Sequence, residues 1–122
     1  KDIYNKCMDL ILENILSLQI VKDEFKNDQL LGEIFMPHGL GHFIGLDVHD
    51  VGGKLYDKIN DHSIILKENM VITIEPGIYF NNYLLNKYNH MWTEEINNFK
   101  DIGGVRIEDV VVVKKDGYEQ LN

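Results

Sequence analysis

Cysteine occurs once in this sequence, as Cys7, so no internal disulfide can form and a disulfide-stapled scaffold is excluded. Placed among helical apolar positions, Cys7 is expected to be a small core side chain. Arginine is equally scarce, with Arg106 alone, and 12 basic against 20 acidic residues leave a net charge of −8 and a pI near 5.0. No basic run exceeds the pair Lys114 and Lys115, which argues against a nucleic-acid partner. No apolar run approaches the roughly twenty residues of a membrane span, and no signal peptide opens the chain, so the expected compartment is the cytoplasm. Serine is limited to Ser17 and Ser63, neither in a GxSxG turn, which removes serine hydrolysis from consideration. The prolines are Pro37 and Pro76 only.

The composition that remains is that of a folded domain, with 44% hydrophobic residues and six Tyr, five Phe and one Trp in 122 residues. There are no repeats, low-complexity linkers or second domain. The chain opens at Lys1 in a helical pattern, as a piece of a longer protein is expected to.

Histidine is concentrated where glycine is. Phe35 to Gly53, FMPHGLGHFIGLDVHDVGG, holds three histidines, two aspartates and five glycines in nineteen residues. Glycine weakens a regular strand but lets the backbone approach something small, and imidazole serves both metal binding and proton transfer near neutral pH. Two readings follow: a site for a metal or reacting substrate, or a glycine-rich surface loop with incidental histidines. Gly39, Gly41 and Gly45 are spaced GxGxxxG, one residue too long for the dinucleotide fingerprint. His38 and His42 have i, i+4 spacing but lack the glutamate of a helical zinc site.

Elsewhere, periodicity predicts a helix over residues 2–19 and a short second helix over Asp23–Gly32. Glu33–Pro37 reads as a strand and residues 50–66 as a surface loop. Met70–Phe80, MVITIEPGIYF, reads as one strand with Val71, Thr73 and Glu75 on one face. Tyr83–Phe99 has helical spacing, and Val105–Val113, VRIEDVVVV, is β-branched enough for another strand, on which Arg106 and Glu108 share a face. Asp116 and Gly117 are expected to close a hairpin, with Tyr118–Leu121 as the return strand. Arg106, in a strand that looks buried, is expected to pair with a carboxylate or with substrate. Glu75, at the end of an apolar strand and held extended by Pro76, is expected to be aimed at something positive.

His42, Glu75 and Glu108 follow one another at intervals of thirty-three residues, each on or beside a predicted strand. One nitrogen and two carboxylates form a hard ligand set that suits manganese, cobalt or iron(II), and zinc less distinctively.

PHGLGHFIGLDVHDVGG, ITIEPGIYF and GGVRIEDVVVV, in that order, resemble the C-terminal part of the pita-bread metallopeptidase family. That family includes methionine aminopeptidase, aminopeptidase P, creatinase and prolidase, and the sequence is most similar to the prolidase (Xaa-Pro dipeptidase) branch. The resemblance runs from about Tyr4 to Leu121. It implies an α+β fold, the C-terminal half of the pita bread, with an antiparallel sheet packed with helices, and places residues 1–122 in one catalytic domain whose upstream part is missing. It implies hydrolysis of Xaa-Pro dipeptides by a homodimeric parent enzyme with two divalent metal ions, manganese foremost. By resemblance, His42 and Glu75 bind one metal and Glu108 bridges two. His38 and His49 would contact substrate and stabilise the tetrahedral intermediate, Glu75 would shuttle the proton, and Arg106 would stand behind the ligands near the metals.

The sequence departs from the family pattern in two places. Two aspartate ligands are expected upstream of the first helix, and the chain begins after both. The loop before the EPG strand lacks the arginine expected to grip a dipeptide carboxylate, offering Lys54, Lys58, His62 and Lys67 instead. The alternatives are therefore an aminopeptidase P-like exopeptidase, or a non-catalytic binding module on the same scaffold.

Overall fold

The structure, a computed structural model, describes residues 1–57 and 59–122; Lys58, one of the four basic candidates, lies outside the described residues. It divides into two compact units. The first comprises Lys1–Asn5, Gly39–Pro76 and Ile107–Asn122, and the second Lys6–His38 and Gly77–Arg106. Every strand pairing is antiparallel, as expected of the α+β class.

The first unit is built around β3 (Val71–Ile74). One edge of β3 pairs with β6 (Asp109–Lys114), in register Val71 to Val112 through Ile74 to Asp109. Its other edge receives the glycine-rich segment: Thr73 N–H donates to the His42 carbonyl (2.9 Å), Glu75 N–H to Leu40 (2.7 Å), and Ile44 N–H to Val71 (3.3 Å). β7 (Gly117–Gln120) returns along β6 through the expected hairpin. Between residues 50 and 66 the expected loop holds a small hairpin of β1 (Tyr56–Asp57) and β2 (His62–Ser63), with the rings of Tyr4 and Tyr56 in contact at 5.3 Å.

Apolar packing dominates the second unit. Helix α1 (Asp2–Ser17) spans nearly the predicted range and contributes Ile11 and Ile15 to the core. Cys7 is half-buried rather than core, and burial pushes its thiol pKa up, which suits an inert side chain. The second helix lies further on than predicted. Asp23–Phe25 is a single 3-10 turn, the Asp28 carboxylate then accepts the Leu30 N–H (2.9 Å), and α2 occupies Leu30–Phe35. Glu33–Pro37 is therefore not a strand: Leu31, Ile34 and Phe35 are buried at helical spacing, and Gly32 sits in mid-helix, where an added Cβ would lie 2.6 Å from Met8. Phe35 packs edge-on against Phe80 (5.7 Å) and Trp92 (5.6 Å), and Phe80 stacks on Phe99.

Three more predicted elements are interrupted. Tyr83–Phe99 is not one helix but α3 (Asn82–Lys87), capped by Asn81, followed by 3-10 turns at Asn89–Met91 and Glu94–Asn98. Trp92 is extended between those turns because its neighbours bond to the strand-like segment after α1: Lys22 N–H donates to Met91, and Thr93 N–H to Ile20. The single strand expected over residues 70–80 is β3 followed by β4 (Gly77–Tyr79), and that expected over residues 105–113 is β5 (Gly104–Arg106) followed by β6. β4 pairs with β5 in the same register in which β3 pairs with β6, and the ladder is interrupted at Glu75–Pro76 and Ile107–Glu108. Pro76 has no N–H to continue a ladder.

Candidate metal centre

His42, Glu75 and Glu108 each come from a different one of three adjacent segments in the first unit. Continuing the β3–β6 register one step beyond Ile74 and Asp109 sets Glu75 opposite Glu108, and the Ile107 N–H donates to the Pro76 carbonyl (3.1 Å) to hold that junction. His42 arrives from the other edge of β3. One ligand atom from each of the three lies within 4.8 Å of the others. Ligands about 2.0–2.2 Å from a shared ion stand roughly 3–4.4 Å apart, so the trio is only slightly wider than one coordination sphere.

The donor chemistry fits a cation. Nδ1 of His42 lies 2.8 Å from the Phe43 carbonyl, which can only accept, so Nδ1 carries a proton and Nε2 is the ring atom left to meet a cation. Nε2 faces Oε1 of Glu75 at 3.1 Å. Two acceptors so placed require a proton or a cation between them. Carboxylates directly opposite across an antiparallel pair are also destabilising unless positive charge intervenes. Glu75 is 8% exposed while Glu108 is exposed, so the cost is greatest at Glu75.

Thr73 is fully buried and binds both neighbours: its hydroxyl donates to Oε1 of Glu75 (2.6 Å) and accepts from the His42 N–H (3.0 Å). Gly41 permits this approach, because a Cβ there would stand 1.9 Å from the Thr73 carbonyl oxygen. His49 is exposed, with its ring edge-on to that of His42 at 4.2 Å. The loop carrying it is closed by Asp50, whose carboxylate accepts the N–H groups of Leu46 (3.1 Å) and Val51 (2.8 Å).

His38 and Arg106 belong to the second unit. There the His38 ring lies edge-on to Tyr79 at 5.3 Å, and Nε of Arg106 donates to the Tyr79 hydroxyl (2.5 Å) with its guanidinium over the ring. The expectation of a buried Arg106 is corrected: all of β5 is exposed, because it pairs through β4 alone. Sequence reasoning passed over Tyr79, Asp50 and the linking role of Thr73. The alternation of β3, which puts Thr73 on the face of Glu75, was the signal for the last.

Comparison with known proteins gives the family. Residues 1–115 match metallopeptidase family M24. An uncharacterized peptidase of Saccharomyces cerevisiae is 40% identical over 98% of this chain, which covers 26% of that protein. The Xaa-Pro dipeptidase of Homo sapiens is 43% identical over 75% of the chain and 22% of its own length. Among solved structures, a variant of Escherichia coli aminopeptidase P superimposes with a TM-score of 0.67 at 34% identity, covering 93% of this chain and 23% of that one. The chain thus spans about a quarter of the length of the proteins it matches.

Proposed function

This chain belongs to metallopeptidase family M24, and from that premise we propose that residues 1–122 are the C-terminal portion of a catalytic domain that hydrolyses the Xaa-Pro bond of dipeptides. The observation that carries this reading is the His42, Glu75 and Glu108 trio, with its ligand atoms within 4.8 Å and Nε2 of His42 facing a Glu75 oxygen at 3.1 Å. His42, Glu75 and Glu108 would hold the divalent ions, with manganese the first candidate and cobalt, iron or zinc as substitutes. Such ions supply charge that polarises a carbonyl and lowers the pKa of bound water.

The chain's own residues do the rest. Glu75 would take the proton that the attacking water gives up and deliver it to the leaving nitrogen. His49, exposed beside His42, offers a ring N–H to the developing oxyanion. His38 orients substrate, and Arg106 acts with Tyr79, whose hydroxyl it grips. We place the complete protein in the cytoplasm as part of the same proposal.

A second reading, an aminopeptidase P-like exopeptidase, is favoured by the absence of arginine from the loop before β3 and by the likeness to the E. coli enzyme. Lysine lacks the bidentate fork that holds a free carboxylate. Assay of the complete protein with manganese on Xaa-Pro dipeptides and on longer Xaa-Pro peptides separates the two. Turnover confined to dipeptides supports the first reading, and turnover of long peptides the second. No turnover of either, with metal bound, would make the domain a non-catalytic binding module.

A further inference from the structure

The hydroxyl of Thr73 connects two of the three proposed ligands, and its hydrogen-bond directions are fixed by elimination. The His42 backbone N–H, 3.0 Å away, can only donate, so it takes a lone pair of the hydroxyl oxygen. The hydroxyl proton is then free to point along the 2.6 Å contact to Oε1 of Glu75, a length typical of an O–H donor on a carboxylate. In the same residue, the backbone N–H donates to the His42 carbonyl at 2.9 Å, so Thr73 grips the His42 peptide from both sides. At 0% exposure, Thr73 meets no water that would compete for these bonds.

From this geometry we infer that Thr73 is the positioning residue of the metal centre. Its single hydroxyl sets the rotamer of Glu75 and the approach of His42 together, and so fixes the distance between two ligands that come from different segments. The inference rests on the reading of His42, Glu75 and Glu108 as metal ligands. Thr73 acts through what it holds, the Glu75 carboxylate and the His42 backbone. Gly41 belongs to the same device: with any larger residue there, the His42 segment could not lie this close to the Thr73 carbonyl.

The test is the affinity of the complete protein for Mn2+, by calorimetric titration after metal removal, in the wild type, Thr73→Ser, Thr73→Val and His42→Ala. Residues that orient metal ligands typically contribute about 10–100-fold in affinity, so Thr73→Val is expected to lose that much while Thr73→Ser stays within about threefold of wild type. The visible absorption of bound Co2+ should shift in Thr73→Val and return to the wild-type form in Thr73→Ser. Should Thr73→Val fail to fold, Thr73→Ala removes the same hydroxyl without placing a methyl against the His42 N–H, and the same loss is expected of it. Unchanged affinity without the hydroxyl, or equal loss in Thr73→Ser and Thr73→Val, overturns the inference. Wild-type affinity in His42→Ala would instead overturn the metal reading itself, whereas loss in His42→Ala with none in Thr73→Val removes only the role of Thr73.

Discussion

The two units bury different things. Among the described residues, the second unit contributes thirteen of the buried apolar side chains and the first only four, Tyr4, Leu40, Ile72 and Val111, yet both buried polar residues, Thr73 and Glu75, belong to the first. In the second unit, aromatic contacts among Phe35, Phe80, Trp92 and Phe99 use area removed from water. The first brings the ligand atoms of His42, Glu75 and Glu108 together at β3. Stability and chemistry are thus assigned to different stretches of one short chain, and substitutions in the two units should have different signatures.

The largest expected effect is the loss of the whole reaction. The 122-residue chain by itself should show no Xaa-Pro cleavage and only weak Mn2+ binding, because three ligands hold one ion loosely and the resemblance places two aspartates outside these residues. Calorimetric titration alongside a dipeptide assay checks this. Tight binding of two ions, or turnover above buffer, would show that the first unit needs no more ligands.

Next in size is Phe35→Ala, which empties the centre of the second unit. A buried Phe to Ala change costs about 3–5 kcal/mol, so the denaturation midpoint of the complete protein should fall steeply while Mn2+ affinity of the remaining folded protein is retained. A loss of affinity as large as the loss of stability would abolish the contrast between the units.

Much of this contrast was legible in the sequence, and the exceptions share a cause. The three histidine, EPG and VRIED stretches stood out because glycine, proline and carboxylates interrupt apolar runs there. α1 was legible because Ile11 and Ile15 obey a helical period that burial also obeys. Trp92 and Ile96 obey it as well, yet Trp92 is extended, since its surroundings bond to Ile20 and Lys22 some seventy residues away in sequence. Likewise, nothing local to Glu75 or Glu108 reveals that the antiparallel register sets them opposite each other. Periodicity reports which side chains are buried, and long-range hydrogen bonds decide the backbone that buries them.

A smaller effect is expected at Glu108, with opposite signs in the two assays. Glu108→Gln removes one of two opposed carboxylates, so metal-free stability should hold or rise by about 0.2–1 kcal/mol while Mn2+ affinity falls. Denaturation with and without metal reads both, and a marked loss of metal-free stability would mean that Glu108 supports the fold.

The smallest lies at the β6–β7 hairpin, where the hydrogen bond from Lys114 holds the Glu119 carboxyl below its usual range. A depressed carboxylate contributes stability above its unfolded pKa and loses it as pH falls through the folded value. Glu119→Gln should therefore shift the thermal midpoint slightly at neutral pH, less at high salt, and not at all in acid. A difference that persisted in acid would assign the effect to something other than charge.

Metal content decides the central claim most directly. Elemental analysis of the purified complete protein, wild type beside His42→Ala and His49→Ala, is expected to find both variants inactive, with metal depleted in His42→Ala and retained in His49→Ala. Full metal in His42→Ala, or equal depletion in His49→Ala, would contradict the account.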